Sequence, residues 1–246
     1  DAKPMDKRSR FPMQHGVNLQ ALKKRLKPVH DGRRTTGTRL DAVIAEPLSV
    51  RKLFDQEGDL QQSMPEFEYR EEQAEMAVAV SSAIQDGEHL LVEAGTGVGK
   101  SLAYLVPAAL SALSGNGPVV VSTNTINLQD QLFTKDLPAL ELLLERLGVP
   151  RGTLRVARLK GRANYLCYRR WSFACSSPPD RIRDARILAK CVVWMQKTAT
   201  GDRGELALQR DGHLFTRISG SGAKGCPAQD GPCFLRKARN EAQNAD

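Results

Sequence analysis

"HLLVEAGTGVGKSLAYLVPAAL", residues 89–110, decides the fold. An apolar run of strand length, "HLLVEA" (89–94), leads into a glycine-rich turn. A helix-forming run, "SLAYLVPAALSAL" (101–113), follows the turn. The residues in between, Ala94, Gly95, Thr96, Gly97, Val98, Gly99, Lys100 and Ser101, fit the phosphate-loop pattern in its form with alanine first. Each residue type has a reason. The three glycines let the backbone wrap closely and aim N–H groups inward. The helix that follows brings its positive end to bound phosphate. Lys100 supplies a cation for the β- and γ-phosphates of ATP, and Ser101 a hydroxyl for Mg²⁺. A chance glycine-rich turn is the competing reading. Strand, three glycines, Lys–Ser and helix in that order argue against it.

Outward from the loop, apolar strands alternate with helical runs. "PVVVST" (118–123) and "TLRVARL" (153–159) read as strands. "EYREEQAEMAVAVSSAIQDG" (68–87) reads as a helix stopped at Gly87. "NLQDQLFTKDLPALELLLERLG" (127–148) reads as one helix or two, interrupted near Pro138. Such alternation predicts an α/β fold, with a parallel sheet covered by helices on both faces. After residue 160 the strand signals fade and all five cysteines occur. "RDARILAKCVVWMQ" (183–196) and "FLRKARNEAQNAD" (234–246) read as helices there. The predicted organisation is a basic tail or linker over 1–48, a nucleotide-binding domain over 49–160 and a mostly helical, cysteine-bearing unit over 161–246.

The 246 residues carry a net charge of +8, unevenly spread. Residues 1–34 hold ten Lys/Arg against three Asp/Glu, and residues 151–190 hold eleven against two. Two basic blocks on an acidic body point to a polyanion, nucleic acid first. A solvated tail is the bland reading of the first block. No run of about 18 apolar residues exists, which excludes a helical membrane span, and no signal peptide opens the chain. An odd number of cysteines without a secretory signal argues against a disulfide framework and for a reducing, cytoplasmic setting. Cys226 and Cys233 enclose six residues, wider than paired zinc ligands favour, and no C-x-x-C is present. Metal ligands or ordinary small residues both remain open on spacing alone.

"YREEQAEM" (69–76), "VEAGTGVGKSLAYLVPAAL" (92–110), "VVVSTNTINLQDQL" (119–132) and "RLKGRANYLC" (158–167) together resemble the DinG/XPD-type iron–sulfur helicases of superfamily 2. The resemblance runs from about residue 50 to 246. It implies a RecA-like motor domain carrying an inserted 4Fe–4S domain. The implied activity is ATP-dependent, 5′-to-3′ DNA unwinding in repair or replication. Gln73 matches the glutamine that reads adenine. Ser122, Thr123, Asn124 and Thr125, with Gln129, match the motif that touches the backbone of single-stranded DNA. Helix capping by Thr123 or Thr125 is the competing reading and is compatible with it. Cys167, Cys226 and Cys233 match three cluster ligands. A fourth is expected where Ser221 stands, so Cys175 or Ser221 is the candidate replacement. Cys191 reads as a buried small hydrophobe. Arg162 and its basic block would neutralise phosphates, with Tyr165, Tyr168 and Trp171 offering stacking faces or packing.

No strand ends in an acidic run that could hold Mg²⁺. The acid is expected to be cryptic or to lie beyond Asp246. The chain therefore reads as the N-terminal part of a monomeric helicase, inactive by itself. A nucleic-acid-binding module with a vestigial loop, and a small-molecule kinase or other P-loop ATPase, are the alternatives. A kinase needs neither the 119–132 motif nor the basic cysteine region.

Overall fold

The computed structural model describes residues 47–176, 182–206, 208, 212–221 and 233–246, all within one compact unit spanning 35–246. Helix α1 (Pro47–Phe54) buries Val50, Leu53 and Phe54. Helix α2 (Asp59–Ser63) is short. Helix α3 (Glu71–Asp86) opens with Glu71 and Glu72 against its positive end and stops at Gly87, which takes φ +68°. Helix α4 (Lys100–Leu113) follows the phosphate loop and buries Ala103, Leu105, Val106, Ala108, Ala109 and Leu110. Pro107 is tolerated within it, buried among these neighbours.

Residues 126–146 fold as two α-helical segments joined by a π-helical one. Helix α5 (Ile126–Gln131) gives way to a π-helical segment, Leu132–Asp136, and then to α6 (Leu137–Arg146), with Pro138 in its first turn. The interruption predicted near Pro138 is present, and its form is a π turn. Arg146 Nε donates to Asp59 Oδ1 at 3.0 Å, tying α6 to α2. A first apolar core gathers Phe54, Leu60, Ala77, Val106, Leu140 and Leu143.

Beyond residue 160 come α7 (Tyr168–Cys175), α8 (Ile182–Met195), α9 (Gly212–Ile218) and α10 (Phe234–Gln243). They surround a second core of Leu166, Ile187, Cys191, Trp194, Phe215 and Ile218. Two isolated bridges, Tyr165 to Asp202 and Leu166 to Ser219, knit its loops.

The predicted parallel sheet is not paired among the described residues. Segments 89–94, 118–123 and 153–159 are non-helical, but none is paired as a strand among the described residues. Apolar content makes a segment fit to be buried; only a neighbouring backbone makes it a strand. These segments keep their apolar side chains outside, Leu91 99% and Val120 89% exposed. The backbone partner that 119 and 155 share is Asp246, whose N–H donates to Arg155 O at 2.9 Å and whose carbonyl accepts from Val119 N at 3.3 Å.

Candidate functional site

The glycine-rich turn folds where the sequence places it. Gly97 and Gly99 adopt φ +87° and +81°, the left-handed region that glycine enters without a Cβ penalty. Gly99 then serves as the cap from which α4 departs, so the helix's free N–H groups open onto the turn. Lys100 folds back into it, its Nζ donating to Ala94 O at 3.0 Å and also to Gly95 O. Ala94, Thr96 and Val98 complete the turn. The loop is thus assembled with its cation inside and its backbone donors exposed.

Gln73 lies beneath this turn. It is 2% exposed, and its Nε2 donates to Gly99 O at 2.8 Å. A Cβ built on Gly99 would stand 2.3 Å from that nitrogen. Gly99 is therefore required twice, by its dihedral and by its neighbour. The other side-chain atom of the amide, Oε1, is buried without a hydrogen-bond partner.

Ser101 faces a second buried polar group that sequence reasoning missed. That group is the carboxyl of Asp136. Asp136 ends the π segment and is 7% exposed. Burial raises its pKa; Ser101, Lys135 and Gln131 oppose that rise. Burial likewise raises Tyr104, with Ser101 opposing. Asp136 Oδ2 has no hydrogen-bond partner. The sequence signal was an acid inside the helical repeat "QLFTKDLPAL" (131–140).

Thr123, Asn124 and Thr125 form the turn into α5. Thr125 Oγ1 accepts from Leu128 N at 3.2 Å, so it caps the helix. Thr123 Oγ1 donates to Thr125 O at 3.3 Å, and Asn124 is exposed. Gln129 Nε2 donates to Leu159 O at 3.2 Å. Its neighbour Asp130 accepts from Arg158 at 2.8 Å and from Lys160 at 3.1 Å. Lys160 also meets Asp202 Oδ2 at 2.7 Å, and the two side chains are only 3% and 5% exposed. This ion cluster, invisible in sequence because its members lie far apart, fastens α5 to the second core. Arg162 is exposed in a 3₁₀ turn, Arg162–Asn164, just beyond it. Tyr165 is buried and donates its hydroxyl to no base: the hydroxyl accepts from Lys160 N at 2.9 Å. Tyr168 and Trp171 pack together, ring centroids 5.7 Å apart.

The described cysteines are not gathered into a metal-holding group. Cys167 precedes α7 and Cys175 ends it, about 12 Å apart at 1.5 Å per residue. The thiol of Cys191 is pushed up to about 11, by burial first and then by the charge of Cys175. Cys191 belongs to the second core. Cys233 caps α10, its Sγ accepting from Arg236 N at 3.4 Å. Ser221 Oγ is engaged by Thr216 O at 3.0 Å and Ser219 Oγ at 2.8 Å. Cys226 lies outside the described residues. Among the described residues no three His, Cys, Asp or Glu side chains converge to hold a metal ion. Those residues do not fit a cubane, which needs four thiolates around one centre. Nor is any described helix long and apolar enough to cross a membrane.

A loop with these donors, entered from an apolar segment and left by a helix, defines a P-loop nucleotide-binding fold. Residues 73–146, from the buried glutamine to the end of α6, match the DEAD/DEAH box helicase family. The chain is 38% identical over 205 residues to the ATP-dependent DNA helicase YoaA of Haemophilus influenzae, covering 80% of this chain and 30% of that protein. It is 40% identical over 196 residues to the ATP-dependent helicase DinG of Mycobacterium tuberculosis, covering 72% and 29%. A relative in Bacillus subtilis named 3′-5′ exonuclease DinG is 37% identical over 159 residues, covering 65% and 16%. The chain belongs to the DinG-type helicases. It spans about 30% of the length of the curated YoaA relatives it matches.

Proposed function

We propose that the chain is the nucleotide-binding part of an ATP-dependent DNA helicase. The observation that carries this is the phosphate loop itself, with Gly97 and Gly99 left-handed, Lys100 inside the turn and Ser101 at the head of a 14-residue helix. ATP would lay its β- and γ-phosphates on the loop's N–H groups, with Lys100 neutralising their charge and Ser101 reaching Mg²⁺. Gln73 holds Gly99 and has one acceptor left to read adenine's amine. Phosphoryl transfer needs little covalent chemistry from protein, so positioning and charge do most of the work.

The exposed apolar segments 89–94, 118–123 and 153–159 support a RecA-like parallel sheet in the whole protein, where neighbours would cover them. Residues 49–160 then make up part of the motor, and 161–246 the inserted unit. Thr123, Asn124, Thr125, Gln129 and Arg162 would contact the backbone of single-stranded DNA, and stepping would run 5′ to 3′. The YoaA relatives carry the name ATP-dependent DNA helicase, which supports DNA as the substrate. A cytoplasmic, monomeric enzyme of DNA repair or replication is the setting this reading implies. The 4Fe–4S cluster on Cys167, Cys226 and Cys233 rests on the family resemblance alone.

Lys100→Ala in the full-length protein tests the proposal. ATP hydrolysis should fall at least a hundredfold, about 2.7 kcal/mol of lost charge stabilisation. Single-strand binding should remain. Unchanged hydrolysis would return the loop to a vestigial role.

A further inference from the structure

The residues that leave α9, 218–221, lie against the entry to α7. Cys167 N donates to Ile218 O at 2.8 Å and Gly220 N to Tyr165 O at 3.0 Å, on either side of the bridge between Leu166 and Ser219. A Cβ on Gly220 would stand 2.8 Å from Arg162 O, so the two backbones touch there. From the first turn of α7, Arg170 Nη1 donates to Ser219 O at 3.3 Å and also to Ser221 O. The loop's own hydroxyls complete the set. Ser219 is fully buried; its hydroxyl donates to Thr216 O at 3.0 Å and accepts from Ser221 N at 3.3 Å. Ser221 Oγ lies 3.0 Å from Thr216 O and 2.8 Å from Ser219 Oγ, so its one hydrogen has an acceptor either way. A buried polar network satisfied in this manner rigidifies the backbone that carries it.

The family resemblance expects something else at this place, an iron–sulfur cluster with its fourth thiolate where Ser221 stands. Metal ligands bind deprotonated, and a serine hydroxyl between two acceptors keeps its hydrogen. The remaining cysteines do not replace it. Cys191 is fully buried in the second core, and Cys175 ends α7, about two helical turns from Cys167 at its start. Cys167, Cys226 and Cys233 are then one short of a cubane's four.

We propose that this protein fastens residues 218–221 to α7 by a hydrogen-bonded clasp of Arg170, Thr216, Ser219 and Ser221, in place of a cluster. The clasp joins Arg170 to Ser221 across 51 positions of sequence, a closure of the length that a metal staple would otherwise make. The cysteine-bearing unit therefore assembles without iron and keeps its fold when iron is withdrawn. The clasp stands apart from the phosphate loop, so nucleotide binding is not its readout.

Two measurements on the full-length protein, purified without oxygen from iron-supplemented cells, test this. Iron and acid-labile sulfide should each stay below about one per chain, against about four of each for a cubane. Hydrogen exchange followed by mass spectrometry should find 165–170 and 216–221 protected, and equally so after treatment with an iron chelator. Ser221→Ala and Arg170→Met should each speed that exchange roughly fivefold, the worth of one hydrogen bond. The two variants lie on different elements, and the chelator measurement uses the unaltered protein, so the test does not hang on one replacement folding. Iron and sulfide at or above about one per chain, protection that chelation abolishes, rapid exchange in the unaltered protein, or protection that survives both substitutions would each overturn the proposal.

Discussion

Lys160 is buried between two aspartates, whereas Gln73 and Asp136 are each buried with one oxygen unbonded. All three sit in polar positions that the fold had to desolvate. At Lys160 the folding reaction finishes the job. Its ammonium meets Asp130 and Asp202, Arg158 meets Asp130, and the backbone N–H of Lys160 meets Tyr165. Around the phosphate loop it does not. Gln73 spends an amide hydrogen on Gly99, Asp136 is buried at the end of the π segment, and each keeps an oxygen without a partner. A polar group satisfied on every side holds structure together. One left with an open acceptor costs stability until something binds.

That contrast can be broken most sharply at the joint. Lys160→Ala should destabilise the protein by about 3–5 kcal/mol, because it takes the nearer cation from the buried Asp202 carboxylate and leaves it only Arg158, at 3.7 Å. Urea unfolding followed by tryptophan fluorescence gives the value, and nucleotide affinity should stay within a few fold. A loss under about 1 kcal/mol, the range of exposed pairs, would show that the cluster is solvated. At the loop the balance reverses. Gln73→Met removes one neutral hydrogen bond together with one unsatisfied oxygen, so stability should shift by no more than about 1 kcal/mol. Nucleotide affinity should fall instead. A large stability loss with affinity intact would make Gln73 a second joint.

How much of this was legible beforehand follows from the range of each interaction. The phosphate loop was readable because its parts are contiguous: glycines, Lys100, Ser101 and the helix they start lie in one stretch. Gly87 and Pro138 were readable for the same reason, since a residue's backbone preference acts where it stands. Gln73 was found through the family resemblance, and its hold on Gly99 was not foreseen, because 26 residues separate them. Asp136 and Lys160 needed the fold. A carboxylate reveals that it is buried only once α4 is packed against it, and Asp130 finds Asp202 only across the two cores. The strands failed differently. Leu90, Val92, Val119 and Val121 carry the right side chains for a buried sheet, but periodicity reports what a segment can bury and is silent on whether a neighbouring backbone lies alongside. Ser221 shows the opposite limit. The sequence could note that a hydroxyl stands where a thiol was expected, and the structure then gives that hydroxyl two partners of its own.

The smallest effect sharpens the comparison inside the second core, at a group that is satisfied and yet titrates near the edge of the stable range. Burial works to raise the pKa of Glu205, but Thr200, Thr198 and the Trp194 indole donate to it and hold it below its ordinary value. The indole Nε1 stands 2.9 Å from Oε2. A carboxylate with a depressed pKa adds stability that is complete above its unfolded pKa, about 4.3 for glutamate. That stability is lost as the pH falls through the lower, folded value. Acidification from about pH 5 to about pH 3 should therefore loosen this contact first and be reported by Trp194 itself. With Trp171→Phe, Trp194 is the only tryptophan left of two, so its fluorescence can be followed alone. A shift in emission is expected to precede global unfolding and to vanish in Glu205→Gln, whose amide does not titrate. A titration that persists in Glu205→Gln would show that Glu205 is not the group that Trp194 reports.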